Sequence, residues 1–429
     1  MAIPHPDHEE AHDARMLDDA MARESNNGVV RRRSSSKSSE SAEEALRKAG
    51  FTRVEGAPEP LPIAMPSFSV KELRAAVPKH CFERSLTTSL YYLVKSIVIC
   101  AVLFVVGAKF QASEYASSPL AQVVFWPTYW FLQGSHLTGL WILGHECGHH
   151  AFSPYKRLND LVGTILHSGL LTPYYSWQIS HRHHHQHVGN MDHDEVFIPM
   201  TRPEYESWTD AIEETLEDTP LYNLYRVVGM LVFGWMPGYL IFNATGPAKY
   251  QSSSRRSHFD PYSVLFTDKE RHLVIWSDVG VGAAFSFLSC LTWTFSLRVM
   301  AQLFFIPFML VNAYMVIITL LQHTDTFVPR FRDDGWTWLH GALCTVDRDF
   351  GWFLNDVLHH MPDTHVCHHI FAKIPFYHAE EATEALRPLL GRYYLRDSTS
   401  IPVAFWRCFT QCKFVEDDGT VVFCKKHLY

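Results

Sequence analysis

The chain has 429 residues, a formal net charge of -8 and 26 histidines, and aromatic residues make up 14% of it. The acidic balance argues against a nucleic-acid-binding protein, whose surface would be basic, and a hydrophobic content of 47% excludes disorder along the whole chain. The nine cysteines are scattered from Cys81 to Cys424 and are odd in number, so they do not form the dense framework of a disulfide-rich secreted domain.

The first 60 residues are rich in Asp, Glu, Ser and Arg and include a run of arginines and serines from Arg31 to Lys37. A segment of this composition cannot bury enough apolar surface to offset the entropy of folding. The sequence therefore predicts a disordered cytosolic N-terminal tail over residues 1–60 and a single folded domain over residues 61–429.

Apolar segments follow the tail, although the mean hydropathy of the whole chain is only -0.07. Four of them are close to the ~20 residues that a helix needs to cross a bilayer. They cover approximately residues 91–110, 120–143, 273–295 and 300–322. Trp126 and Trp293 lie near segment ends, where aromatic residues anchor helices at the membrane interface. The pattern predicts an all-α integral membrane protein with four transmembrane helices in two hairpins.

Three histidine-rich motifs lie between and after these segments: HECGHH at residues 145–150, HRHHH at 181–185 and HVCHH at 365–369. On a helix, residues three and four positions apart share a face, so each motif directs two or three imidazoles to one side. His323 ends the fourth apolar segment at the same depth as His145 ends the second. The candidate metal ligands are His145, His149, His150, His181, His184, His185, His323, His365, His368 and His369.

This number of imidazoles indicates a site for two metal ions, because one zinc ion needs only three or four ligands. Imidazole binds Zn, Cu, Fe and Ni, so the ligands alone do not select the metal. Zinc has no redox chemistry, whereas a pair of iron ions can activate oxygen. Asp194 and Glu195 follow the second motif and Asp363 precedes the third, and carboxylates in such positions often orient ligating histidines.

The membrane topology can be predicted from charge and from the histidine motifs. The loops at 109–119 and 296–299 carry few charges, whereas basic residues flank the other ends of the apolar segments. The positive-inside rule places both termini and the large loops in the cytosol. If the three motifs build one site, they lie on one side of the bilayer. The remaining apolar stretches, 158–177 and 225–242, are then interfacial or re-entrant helices, and the histidines form a cytosolic cap with a site for two metal ions.

The motifs and the residues around them resemble the membrane fatty acid desaturase family. Besides the three histidine motifs, the segments SWQISH at 176–181, DEVFIP at 194–199 and TVDRDF at 345–350 are similar to those of its endoplasmic-reticulum Δ12 (oleate) branch. The stretch from Asp363 to Leu390 is similar as well, and the resemblance covers roughly residues 65–415. Two positions depart from the usual pattern: His183 replaces an arginine, and Cys367 replaces the alanine of plant relatives.

The resemblance implies a non-haem di-iron oxidoreductase that uses O2 and electrons from cytochrome b5 and its reductase. The expected reaction converts oleoyl to linoleoyl chains, carried by a membrane phospholipid, with the irons held by the histidines given above. It also implies a multi-pass protein of the endoplasmic reticulum with its active site facing the cytosol, with a plastid membrane as the alternative, and it allows for a homo- or hetero-oligomer.

Other interpretations remain open at this point. Within the family, an ω3 desaturase or a hydroxylase or conjugase variant would carry the same motifs. A different class of protein, a zinc transporter or membrane receptor lined with histidines, would bind zinc instead of iron. Transporters place ionisable ligands at mid-bilayer depth, whereas these motifs lie at segment ends and in loops, which favours chemistry at the membrane surface.

Overall fold

The computed structural model describes residues 38–209, 215–216 and 218–426, and the fold is predominantly helical. The helices before residue 200 are α1 (Ser38–Lys48), α2 (Val70–Ala76), α3 (Leu86–Gln111), α4 (Pro119–Gly148), α5 (Lys156–Gly169) and α6 (Tyr174–His187). Those between residues 200 and 325 are α7 (Arg202–Trp208), α8 (Pro220–Phe233), α9 (Ala248–Gln251), α10 (Arg271–Phe295), α11 (Leu297–Met300) and α12 (Ile306–His323). The last are α13 (Trp338–Ala342), α14 (Trp352–Val357), α15 (His365–Ile370), α16 (Phe376–Leu390) and α17 (Ile401–Gln411).

Among the described residues, three helical segments are long and apolar enough to cross a membrane: α3, α10, and the continuous helix Leu297–His323, in which a π-helical turn joins α11 to α12. Most of α10 is exposed, and Trp293 near its end is 92% exposed. Such an apolar surface suits contact with lipid. The chain therefore has the helices of a membrane protein, as the sequence predicts.

The second predicted segment, 120–143, lies within α4, which is not one of these three helices. At 30 residues α4 is about 45 Å long, so it is long enough to cross a bilayer. Gln122, Gln133 and His136 lower its hydropathy, and its second half is buried against other helices. The four-helix topology thus stays a proposal, in which α4 is the helix most enclosed by protein.

The two shorter apolar stretches do not form continuous span-length helices. Residues 158–177 are divided between α5 and α6 by a turn in which Leu171 has a positive φ of 54°. Residues 225–242 begin in α8 and continue into a π-helical segment, Gly234–Tyr239, that is kinked at Met236. Met236, which precedes Pro237, has the extended dihedrals that proline favours in the residue before it (φ -119°, ψ 115°), and these interrupt the helix.

Part of the predicted tail is folded. Helix α1 lies within it, and Phe51 packs edge-on against Phe423 with ring centroids 5.2 Å apart. The carbonyl oxygen of Ala49 accepts a hydrogen bond from the N–H of Phe423. Residues 38–60 therefore differ from the expectation of a disordered tail, because Phe423, 372 positions after Phe51 in the chain, packs against them. The run from Arg31 to Lys37, like the rest of residues 1–37, lies outside the described residues.

Four short strands complete the fold: β1 (Pro329–Phe331), β2 (Asp347–Arg348), β3 (Arg396–Asp397) and β4 (Val421–Phe423). β1 pairs antiparallel with β4, and β2 pairs parallel with β3. One hydrophobic core lies among the long helices, and a second one joins the segments around β1, α13, α15 and α16. The strands tie the C-terminal segment to the region that follows α12, where the histidine motifs meet.

Candidate metal centre

The three histidine motifs lie at the ends of helices. The first ends α4, the second forms the last part of α6, and the third is helix α15. His323 is the last residue of α12. The four helices bring these residues together at one end of the long helices, although up to 224 positions, from His145 to His369, separate them in the sequence.

One group of imidazoles, cluster A, joins all three motifs. Its ligand nitrogens lie within 4.8 Å of one another, and its members are His145, His149, His181, His185 and His368. The Nε2 atom of His181 lies 3.0 Å from that of His145 and 3.1 Å from that of His185. The Nε2 atoms of His185 and His368 are 3.2 Å apart. Cluster A is thus built from α4, α6 and α15.

A second group, cluster B, lies beside the first and consists of His184, His323 and His369, together with His365. The Nε2 atom of His323 is 3.3 Å from that of His184 and 3.0 Å from that of His365. The rings of His185 and His369 stack with centroids 4.0 Å apart, which places the two clusters side by side. His323, which is outside the motifs, therefore lies among their imidazoles.

The spacing of the nitrogens fits metal coordination. Nitrogens bound to one ion at about 2.0–2.1 Å are about 2.8–3.4 Å apart along the edges of an octahedron or tetrahedron, and the Nε2 contacts given above for both clusters fall in this range. In addition, both ring nitrogens of His369 are buried without a hydrogen-bond partner among the described residues. A buried polar atom without a partner is costly, and a metal ion in cluster B would supply the partner for its Nε2 atom.

Burial favours the neutral form of five of these histidines. Burial lowers the pKa of His149, His181, His185 and His369 well below the usual value, and neighbouring imidazoles lower it further because two positive rings would repel each other. For His368, burial and the nearby His184 lower the pKa to about 3. A neutral imidazole offers its lone pair to a metal ion, so the clusters are ready to bind metal at neutral pH.

Asp194 is completely buried beside cluster B. Its Oδ1 atom accepts a hydrogen bond of 2.6 Å from Nδ1 of His184, which directs the Nε2 atom of that ring into the cluster. Its Oδ2 atom forms a 2.9 Å ion pair with Arg330, which also donates to the carbonyl oxygen of His323. Burial raises the pKa of Asp194, but His184, Arg330 and the N–H of Gly189 outweigh this and hold it below its usual value.

Other candidate residues lie elsewhere. His150 is not grouped with either cluster among the described residues; it follows the end of α4 at Gly148 and has a positive φ of 57°. Glu195 accepts a hydrogen bond from the hydroxyl of Tyr250 and lies 3.7 Å from His183. Asp363 pairs with His360 at 3.1 Å. His183 points towards Glu195 and away from cluster A, as expected from its position on the helix.

Two buried carboxylates beside the clusters were not predicted. Glu146 lies 3.3 Å from Nδ1 of His145 and accepts a hydrogen bond from the N–H of Phe376 at the start of α16. Asp347 accepts hydrogen bonds from the N–H of Val366 in α15 and from the hydroxyl of Tyr394. Glu146 lies inside the HECGHH motif, so its place beside the histidines could have been predicted from the sequence. The position of Asp347 depends on tertiary contacts and could not.

Aromatic rings close one side of cluster A. Trp177 stacks on His181 with centroids 4.5 Å apart, and the ring of His145 lies 5.4 Å away. Trp141 packs edge-on against Trp177, and its indole N–H donates to the hydroxyl of Thr172. This apolar wall limits the access of water to the imidazoles on that side and leaves a site suited to reactive chemistry.

Comparison with known proteins agrees with this arrangement. A family model described as fatty acid desaturase matches residues 122–400. A Delta(12) fatty acid desaturase of Mortierella isabellina is 45% identical over 84% of this chain and 92% of its own length. An omega-6 fatty acid desaturase, endoplasmic reticulum isozyme 1, of Glycine max is 42% identical over 84% and 90%. An oleoyl-12-hydroxylase of Ricinus communis is 41% identical over 83% and 89%. With the family model matching more than half of the chain, and relatives covering most of it, the protein belongs to the fatty acid desaturase family and is an oxidoreductase.

Proposed function

We propose that this protein is a Δ12 desaturase that converts oleoyl chains of a membrane phospholipid to linoleoyl chains. The reaction takes one hydrogen from each of carbons 12 and 13, consumes O2, two electrons and two protons, and releases two molecules of water. The observation that carries the proposal is the convergence of imidazoles in clusters A and B, in a chain 45% identical to a relative named as a Delta(12) fatty acid desaturase.

The chemistry requires a redox-active metal. The methylene groups of an acyl chain have no acidic proton that a general base could remove. We therefore propose iron in both clusters, with the ligands given above apart from His150. When bound, an iron pair supplies the oxidising power that acts on the C–H bonds, and the protein positions the chain. The neutral imidazoles hold the metals, Asp194 orients His184, and Trp177 keeps water from cluster A.

The substrate is proposed to enter from the lipid. An apolar recess of about 440 Å³ lies on the side of α10 and is lined by Leu171, Met236, Phe259, Asp278, Val281, Gly282 and Phe285. Leu171 precedes Thr172, which contacts Trp141 in the wall of cluster A. A hydrocarbon chain gains about 0.8 kcal/mol for each methylene that such a surface removes from water. The recess therefore supports binding of an acyl segment that leads towards the metal centre.

The same proposal includes four membrane-spanning helices, both termini in the cytosol and a cytosolic metal centre. Clusters A and B lie at the ends of α4 and α12, which accords with chemistry at the membrane surface. Electrons are proposed to come from cytochrome b5 and its reductase in the endoplasmic reticulum. The Glycine max relative, whose name gives that location, supports the choice of compartment.

Expression in a yeast that makes oleate but no polyunsaturated lipid tests the proposal. We expect new 18:2 chains with double bonds at carbons 9 and 12, detected by gas chromatography and mass spectrometry. His368→Ala should abolish this product because it removes a ligand of cluster A, whereas His183→Ala, on the same helix as three ligands but pointing away, should retain it. No 18:2 from a chain that contains iron and is present in the membrane would contradict the proposal, and ω3 lipid formed only from added linoleate would favour an ω3 desaturase.

A second candidate function is hydroxylation of oleoyl chains at carbon 12. The observation in its favour is that the Ricinus communis relative, at 41% identity, is named as an oleoyl-12-hydroxylase. The same yeast experiment separates the two reactions, because a hydroxylase would yield a hydroxylated 18:1 chain with a different mass and retention time.

A further inference from the structure

A separate group of metal-binding side chains lies outside clusters A and B. It consists of His80, Cys81, His378 and Glu381, and one ligand atom of each residue lies within 4.8 Å of those of the others. His80 and Cys81 belong to a 3-10 helical turn, Lys79–Phe82, that precedes the first long helix. His378 and Glu381 lie on α16, three positions apart and therefore on one face.

From this geometry we infer that the group, called the clip site from here on, binds one structural Zn²⁺ ion. Its donors are two imidazoles, one thiolate and one carboxylate, which is a full tetrahedral set for zinc. The thiol makes the set unsuitable for calcium or magnesium, which prefer oxygen ligands. The Cys81 Sγ to His80 Nε2 distance of 3.7 Å is close to the ~3.6 Å expected between a sulfur at about 2.3 Å and a nitrogen at about 2.05 Å from one zinc ion.

The other contacts of the clip site agree with this assignment. His80 Nε2 and Glu381 Oε2 are 2.9 Å apart, and the Cys81 thiol is also hydrogen-bonded to Glu381. The rings of His80 and His378 face each other edge-on with centroids 5.4 Å apart. Cys81 is completely buried, whereas the side chains of His80 and Glu381 are about half exposed, so the site is open to the solvent that delivers the ion. Glu83, which acts electrostatically on His378, adds a second negative charge nearby.

A zinc ion in the clip site would hold together two segments that are distant in the sequence. It joins two segments that are 301 residues apart: the turn that leads into α3, and α16, which follows the helix of the third histidine motif. Phe82 in the turn packs edge-on against Phe371, which directly follows α15, with ring centroids 5.5 Å apart. Zinc bound here would fix the N-terminal segment to the element that carries His368 and His369, and would stabilise the fold, because the metal binds only the folded arrangement.

The metal content of purified full-length protein tests this inference. We expect inductively coupled plasma mass spectrometry to find about one more zinc per chain in the wild type than in the double variant His80→Ala, Glu381→Gln. Both substituted side chains are half exposed, so the variant retains its core. The matched control is His193→Ala, Asp333→Asn, another exposed histidine–carboxylate pair, 3.1 Å apart, that is not grouped with a cysteine. The control should keep its zinc, and iron should be equal in all three proteins.

Zinc that replaces iron in cluster A or B must be distinguished from zinc in the clip site. X-ray absorption at the zinc edge does this, because the clip site is the one group of metal-binding side chains among the described residues that contains a cysteine, which would give zinc a sulfur neighbour at about 2.3 Å. Wild-type zinc should show this sulfur, and Cys81→Ser should lose it. The inference is wrong if zinc-supplemented wild type holds no more zinc than the double variant, or if its zinc has only nitrogen and oxygen neighbours. Neither outcome would affect the desaturase proposal, which depends on iron and on the acyl product.

Discussion

Replacing Asp194 by asparagine should both destabilise the protein and weaken metal binding. The carboxylate is completely buried and accepts hydrogen bonds from His184, Arg330 and the N–H groups of Gly189 and Glu195. An asparagine side chain has one acceptor oxygen in place of two, and its NH2 group would face groups that are themselves donors. Arg330, only 2% exposed, would keep its charge but lose the partner that neutralises it.

The size of the effect follows from these contacts. Removing one partner of a buried ion pair costs about 3–5 kcal/mol. The loss of the hydrogen bond to Nδ1 of His184 removes the group that sets the orientation of this imidazole, and changes of this kind lower metal affinity about 10–100-fold. The protein should therefore lose several kcal/mol of its free energy of unfolding and lose iron from cluster B more readily than from cluster A.

Chemical denaturation in detergent micelles measures the first effect, and iron per chain after dialysis against a chelator measures the second. The matched control is Asp333→Asn, which removes the charge of a carboxylate that is 58% exposed. A surface change of this kind should alter the free energy of unfolding by less than about 0.5 kcal/mol. If Asp194→Asn unfolds like this control and keeps its iron, the buried carboxylate neither stabilises the fold nor orients His184.

Three further predictions concern pH, the buried ion network and the recess. Burial and His184 lower the pKa of His368 to about 3, so its neutral, metal-binding form persists below the usual pKa of 6.5 and is lost only as the pH falls through the lowered value. Iron per chain should therefore be equal at pH 7 and pH 6, and a loss by half at pH 6 would contradict this. Arg348→Met leaves the buried carboxylates of Asp325 and Asp397 with one arginine fewer and should cost about 3–5 kcal/mol in the denaturation assay, whereas a change below ~1 kcal/mol would show that the network is not stabilising. Gly282→Trp should fill the recess and reduce 18:2 formation in yeast at least about tenfold, while Gly282→Ala, whose Cβ meets no atom within 4 Å, should not; equal activity would place the acyl chain elsewhere.

Nine of the ten histidines predicted from the sequence lie in clusters A and B, but the sequence did not predict how they divide between the two. Each motif was expected to direct its imidazoles to one side, yet His181 and His185 belong to cluster A while His184 belongs to cluster B. Successive residues of a helix are about 100° apart, so His184 and His185 diverge enough to serve two adjacent centres. The same angle separates His368 from His369 on α15.

Other features could not be read from local patterns. His150 follows His149 directly, and spacing does not reveal its positive φ, which departs from helical geometry. The position of His323 could be predicted, because it ends an apolar segment at the depth of the first motif. The packing of Phe51 on Phe423 could not, because it joins the two ends of the described chain. Composition indicated disorder there, and tertiary contacts override that preference.

Because the second and third motifs each contribute ligands to both clusters, the geometries of clusters A and B are coupled. Helix α6 supplies His181 and His185 to one cluster and His184 to the other, and α15 divides its histidines in the same way. Neither helix can shift to accommodate a metal in one cluster without moving the ligands of the other. The stacked rings of His185 and His369 add direct contact between the two sets. If each cluster binds one metal ion, as proposed, binding of the first ion orders the helices that hold the second, and we expect the two ions to bind cooperatively.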